Sequence, residues 1–170
     1  MKVIGFRAAL VDKQFLVKDD ALNDLGIEKG LMTLNSEEEQ NQLLTSIQNQ
    51  NYDQISSCGG SATNSIYAAA ALGTSSGFIG KVAQDEDGKI YNNDLKDNNI
   101  EISNCITSSS GKTGNCIVLI TPDAERTMNT YLGVSSETKF SEINFEQVSE
   151  ANLLFMDCLL YTSPSPRDRG

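Results

Sequence analysis

The sequence predicts an α/β fold built on a mainly parallel sheet. Three observations predict it: short β-type runs alternate with helical patterns over most of the chain, a Gly-Gly turn joins a strand to an alanine-rich helix, and a hairpin pattern interrupts the alternation. The 170 residues suffice for one domain with a packed core. With 39% apolar and 21% charged residues, 13 Gly and 3 Pro, the composition is that of an ordinary globular protein rather than a disordered or fibrous one.

Residues 3–6 form a short β-type run, and 14–18 alternate with Phe15 and Val17 on one side, as a half-exposed strand does. Ser36 and Glu39 have capping-box spacing, and Leu43, Leu44 and Ile47 follow at helical spacing, which predicts a helix over 37–48. Residues 52–57 read as a strand running into Cys58-Gly59-Gly60-Ser61-Ala62-Thr63-Asn64, after which Ile66, Ala69, Ala70 and Leu72 mark a second helix. Ala68 to Ala71 are all small, which lets that helix lie close to a sheet, and Gly73 suits a left-handed end.

Residues 77–80, around Phe78 and Ile79, read as a buried strand. Asp85 or Glu86 begins a third helix with Ile90, Tyr91 and Leu95 inward, and Asn98-Asn99 ends it before a strand over 100–106. Residues 115–121 and 126–132 flank Pro122-Asp123-Ala124-Glu125 as a hairpin that could form part of a lid. A helix over 144–150 and a strand over 153–156 close the alternation, and the Pro-Ser-Pro tail at 161–170 stands outside the core.

A formal charge of −10, from 13 basic and 23 acidic residues, repels nucleic acid and anionic membrane surfaces. No apolar run approaches the roughly 20 residues that span a bilayer, and residues 1–10 lack a secretory apolar stretch, so a cytoplasmic protein is expected. The four cysteines form no C-x-x-C pair and there is no histidine, which points to free buried thiols and removes Ser-His and Cys-His catalysis within this chain. Gly111-Lys112-Thr113 is not a P-loop, because the first glycine would fall at Ile106 and a strand follows. Asp85-Glu86-Asp87-Gly88 lacks the ligand spacing of an EF-hand and reads as a helix start.

The most informative pattern is Gly59-Gly60-Ser61-Ala62-Thr63-Asn64 between strand and helix. Paired glycines expose backbone N–H groups that a polyhydroxyl ligand can approach, and Asn64 in the first helical turn points at the same space. The same pattern also serves tight packing alone. Together with Ala68 to Gly73 and Gly77 to Gly88, however, it resembles the first signature of the ribokinase-like, PfkB-type carbohydrate kinases. Lys29 to Leu34 and Thr121 to Gly133 resemble further segments of the adenosine-kinase-like sugar kinase branch, and the resemblance spans about residues 1–157.

The resemblance implies a ribokinase-like three-layer sandwich with a small β lid at 14–18, 52–57 and the hairpin around Pro122. It also implies transfer of the γ-phosphoryl group of Mg-ATP to a hydroxyl of a sugar or nucleoside. Asp12, which follows Ala9-Leu10-Val11 after the first strand, matches the family aspartate that accepts hydrogen bonds from substrate hydroxyls; a carboxylate can accept from two neighbouring hydroxyls at once. Gly59, Gly60 and Asn64 match substrate-contacting positions, and Ser61 lies beside them. Arg126 matches a recurrent basic residue, although an arginine at a hairpin base also serves as an ion-pair partner or a solvated side chain.

Two departures follow. Phe6-Arg7-Ala8-Ala9 stands where the branch reads like Gly-Asn-Ala, which puts Ala8 at the usual asparagine and implies one missing substrate hydrogen bond. The later Gly-Ala-Gly-Asp segment, with the catalytic base and the phosphate-holding helix start, has no counterpart, so no catalytic residue and no metal ligand is expected in this chain. Residues 1–157 are thus expected to be the N-terminal part of the domain including its lid strands, truncated at the C-terminus, and 158–170 a non-native tail. The expected function is the substrate-binding half of an ATP-dependent sugar or nucleoside kinase, inactive alone, with ATP and Mg serving the complete enzyme. The alternative is a non-catalytic sugar- or nucleoside-binding module, and a homodimer through the lid edges is compatible with either.

Overall fold

The computed structural model describes residues 1–156; the expected tail at 158–170, Cys158 included, lies outside the described residues. In chain order the elements are β1 (Lys2–Phe6), β2 (Leu10–Leu16), α1 (Asp19–Asp24), β3 (Met32–Leu34), α2 (Glu37–Gln48), β4 (Gln54–Gly59) and α3 (Ser61–Ala71). There follow β5 (Ser75–Ala83), α4 (Glu86–Asp97), β6 (Ile100–Ser108), β7 (Thr113–Ile120), β8 (Arg126–Gly133), α5 (Phe145–Ser149) and β9 (Leu153–Met156).

They form two sheets. The first, in the order β6-β5-β1-β9, is parallel throughout. Its inner strand β5 is buried from Ser76 to Ala83, as a strand covered on both faces must be. Val3, Phe78 and Val82 pack there with Ala62 and Ile66 of α3 and with Tyr91 and Leu95 of α4. The Tyr91 hydroxyl, which would be costly to bury alone, shares a 2.9 Å hydrogen bond with Thr63.

The second sheet, in the order β3-β8-β7-β2-β4, is the lid, with both parallel and antiparallel pairings. Its two faces follow from strand alternation. Phe15, Ile117 and Leu119 face Ala21 and Leu22 of α1 and Ile47 of α2, forming a second core. The register partners Asp12 and Cys116, Gln14 and Val118, and Val118 and Met128 share the other face.

Local chemistry explains most element ends. The predicted capping box is present: Ser36 accepts from the Glu39 N–H, and the Glu39 carboxylate accepts from the Ser36 N–H at 2.8 Å, so α2 begins where expected. Gly73, at φ +82°, ends α3 in a Schellman arrangement, with Gly73 N–H to Ala70 O and Thr74 N–H to Ala69 O. Asp85 caps α4 through the Gly88 N–H at 2.8 Å and also accepts from the backbone N–H and hydroxyl of Thr113, tying α4 to the lid strand β7.

Several expectations need correction. The second strand begins at Leu10 rather than at 14, so Asp12 lies inside a strand instead of a loop after the first one. Pairing with both β4 and β7 supplies the backbone partners that hold an acidic residue in mid-sheet. The fourth strand starts at Gln54, and Tyr52 packs beneath the lid instead. Only part of the small run of α3 meets the sheet: Ala70 packs against the core beside Ala62 and Ile66, whereas Ala68, Ala71 and Leu72 are exposed, Leu72 to 87%. Cys58 and Cys116 are free and buried, whereas Cys105 is only half-buried. The short helix α1, which has no side-chain cap, and the three-residue β3 carry too little pattern to be read from the sequence.

Candidate functional site

The carboxyl ends of β1 and β4 and the free face of the lid meet at a cavity of about 510 Å³. Such a position, beyond the carboxyl ends of a parallel sheet, is where α/β folds hold ligands, and the volume is within the usual range for small-molecule sites. Five of the six candidate residues, Asp12, Gly60, Ser61, Asn64 and Arg126, line it. The sixth, Gly59, lies directly under Asp12: a Cβ built there would overlap the Asp12 carboxyl group. Strand geometry causes this, because Asp12 is opposite Ser57 in the β2–β4 ladder and Gly59, two residues on, presents the same face. The absent side chain at 59 is what gives the carboxylate its place.

Gly60 is the N-cap of α3 and turns the chain at φ +98°, a conformation that L side chains rarely adopt. Its carbonyl accepts the Asn64 N–H at 2.9 Å, which sets Asn64 one turn into the helix at the cavity wall. The Ser61 hydroxyl accepts a 2.5 Å hydrogen bond from Arg7 Nη1, so its partner is a residue of this chain. Arg126 makes no ion pair with another described residue and reaches the cavity from the first position of β8.

Burial pushes the Asp12 carboxyl up to about 6, against the opposing pull of the Arg7 and Arg126 guanidiniums. At neutral pH it is ionised and accepts hydrogen bonds; a unit or so below, it is a neutral donor and acceptor. The lid adds an apolar wall from Val118, Ile120, Met128 and Met32. The arrangement can therefore fix hydroxyl groups at one end of a ligand and desolvate the remainder.

Sequence reasoning missed Arg7, Gln14 and Thr130 as lining residues. For Arg7 a signal existed, since it directly follows the strand β1 on the ligand side of a parallel sheet. Ala8, at the position of the expected asparagine, is buried at 5% exposure and is not among the lining residues.

A parallel sheet with helices and a β lid closing one cavity defines a ribokinase-like α/β protein. Residues 30–168 match the pfkB family carbohydrate kinase profile, and the chain belongs to that family. It is 33% identical over 109 residues to "Probable fructokinase-6, chloroplastic" of Arabidopsis thaliana, covering 62% of this chain and 28% of that protein. It is 33% identical over 111 residues to the 5-dehydro-2-deoxygluconokinase of Geobacillus thermodenitrificans, covering 63% and 33%. Among solved structures, the adenosine kinase from Sinorhizobium meliloti superposes with a TM-score of 0.78 at 25% identity, over 98% of this chain and 50% of that one. The matched region thus spans about a third or less of these curated relatives, and the chain about half of the solved structure.

The family implies ATP and Mg in a complete enzyme. Among the described residues no group of three or more His, Cys, Asp or Glu side chains could hold a metal ion. Lys112 and Thr113 stand at the loop and start of β7, where the adjoining N-terminus of α4 is capped by Asp85, which accepts from the Thr113 N–H and hydroxyl. No helix among them is long and apolar enough to cross a membrane.

Proposed function

We propose that this chain is the acceptor-binding part of an ATP-dependent kinase that phosphorylates a hydroxyl of a sugar or nucleoside. The observation that carries the reading is the convergence of the Asp12 carboxylate with the Gly59-Gly60 turn on one cavity closed by the lid. In this reading Asp12 accepts hydrogen bonds from acceptor hydroxyls, Gly60 and the start of α3 offer backbone donors, and Ser61, Asn64 and Arg126 complete the wall. Gly59 keeps the carboxylate in place. Holding the acceptor is the share of phosphoryl transfer that positioning supplies; the base and the ATP-holding elements are assigned to sequence this chain lacks.

The reading includes a boundary near residue 157, with 158–170 as a non-native tail even though the family profile runs on to residue 168, a cytoplasmic location, and a homodimer through the lid. Calorimetry with fructose and adenosine, beside an ATP-turnover assay on the 170-residue chain, tests it. Binding without turnover is expected. Turnover by this chain would overturn the assignment of catalysis to missing sequence, and binding that survives loss of the Asp12 carboxylate would remove the site. The alternative of a binding module without any catalytic partner predicts the same binding, and a native continuation with a Gly-Ala-Gly-Asp segment would exclude it.

A further inference from the structure

Helix α4 contributes no residue to the wall of the cavity, yet it touches the chain beside three residues of the site. Asp87, Tyr91 and Asp94 stand at i, i+4 and i+7 and so share one face of the helix. Asp87 pairs with Lys13 at 2.8 Å, the two side chains being only 16% and 12% exposed. The Tyr91 hydroxyl shares a 2.9 Å hydrogen bond with Thr63, and its carbonyl accepts from the Cys58 thiol at 3.4 Å. Asp94 accepts the Cys58 N–H at 3.0 Å. Each partner is the chain neighbour of a site residue: Lys13 follows Asp12, Thr63 precedes Asn64 and Cys58 precedes Gly59.

Filling a core does not call for this pattern. An apolar face would bury the helix equally well, and a polar group at a buried position is costly unless it is paired. Apolar contacts have no preferred direction, whereas a hydrogen bond fixes both the distance and the angle of its partner. Consecutive Cα atoms lie about 3.8 Å apart across a planar peptide unit, so a hold on one residue constrains the next.

The need is greatest at Cys58. The strand β4 is an edge of the lid and pairs on one side only, with β2. N–H groups on the outer side of an edge strand have no strand to bond, and at Cys58 the Asp94 carboxylate takes that part. The other oxygen of Asp94 accepts from the Asn98 amide at 3.3 Å, which orients the carboxylate from the end of its own helix. One residue beyond Cys58, Gly59 lies directly under the Asp12 carboxyl group, so drift of this strand end changes the space in which that group stands.

We propose that α4 is the positioning helix of the acceptor site, with Asp87, Tyr91 and Asp94 holding Asp12, Asn64 and Gly59 in mutual register by way of Lys13, Thr63 and Cys58. This rests on the reading of the cavity as the acceptor site and adds to it three positioning residues that line no part of the cavity.

Two measurements on the full 170-residue chain test the proposal: calorimetry with fructose and with adenosine, and NMR titration of the Asp12 carboxyl group without ligand. Variants are compared where circular dichroism shows them folded. Asp94→Ala and Tyr91→Phe are each expected to weaken about tenfold whichever probe the parent binds. In Asp94→Ala, as Gly59 withdraws and water reaches Asp12, the Asp12 midpoint is expected to fall from about 6 toward the ordinary carboxylate range. Asp94→Asn keeps an acceptor for the Cys58 N–H while losing the charge; it is expected to restore both readouts, which separates position from charge. Lys89→Ala, on the exposed side of α4, is expected to change neither. Should Asp94→Ala fail to fold, Tyr91→Phe, which removes a single oxygen, still decides. Parent-like affinity and midpoint in the folded variants overturn the proposal while the acceptor site stands. A parent that binds neither probe overturns the acceptor site; a midpoint that still falls in Asp94→Ala then upholds the grip of α4 on Asp12, and an unmoved one removes that too.

Discussion

At position 59 any side chain would collide with the Asp12 carboxyl group, and at position 60 it would meet both a strained backbone and Arg7. Gly59→Ala is therefore expected to cost about 1–3 kcal/mol through overpacking and to abolish ligand binding, because the carboxylate must leave its place. Urea unfolding and calorimetry on the same variant check both halves. Asp12 itself is held at a cost. Its carboxyl is pushed to about 6 by burial, so between roughly pH 4 and 6 the folded state retains a proton that the unfolded state releases. Its contribution makes the fold less stable as pH rises through that window. Asp12→Asn is expected to lose ligand binding yet to gain on the order of 2 kcal/mol over the parent at pH 7.5, with the gain vanishing near pH 4. Unfolding of both proteins at the two pH values decides it; an equal difference at both would sink the account.

Among the elements, those with strong local chemistry were legible. The helix α2 shows its start through Ser36 and Glu39, and Ser36→Ala is expected to cost about 1 kcal/mol in a urea titration. Asp85 does more than end a helix. It joins α4 to β7 through the N–H and hydroxyl of Thr113, while Asp87 of the same helix pairs with Lys13 of β2 at 2.8 Å. Two contacts thus tie the lid to the α/β layer. Asp85→Ala is expected to destabilise by about 2–3 kcal/mol, more than a cap alone, and to raise amide exchange in β7 as well as in the first turn of α4. Exchange confined to α4 would show that the residue is only a cap. The start of β2 was not legible: Ala8-Ala9-Leu10-Val11 lacks alternation, and only pairing on both sides makes a strand of residues that include an aspartate.

At the scale of the whole molecule, the exposed apolar side chains gather where layers end. All four residues of β9 are exposed, as are Phe140 and Phe145, whose tilted rings have centroids 4.3 Å apart. On the lid, β4 is an edge strand carrying Ile55 at 61% exposure, and Leu16 is exposed to 70%. Open apolar edges favour association. If the dimer forms through the lid, Ile55→Lys is expected to lower the mass seen by light scattering at high concentration, and Leu72→Lys on α3 to leave it unchanged. The reverse pattern would place the contact on the helical layer.

Periodicity, caps and turn glycines determined the alternation of strands and helices, because these signals act within a few residues of chain. Motif order likewise marked Asp12, Gly59, Gly60, Ser61, Asn64 and Arg126 as one set. Only the tertiary structure decided that Arg7 stands over the Gly-Gly turn, that Asp12 lies in mid-strand above Gly59, and that the lid has five strands with an apolar face toward the cavity. The physical reason is range: backbone pairing and burial join residues 39 to 104 positions apart, and no local pattern encodes which charges such pairing brings together.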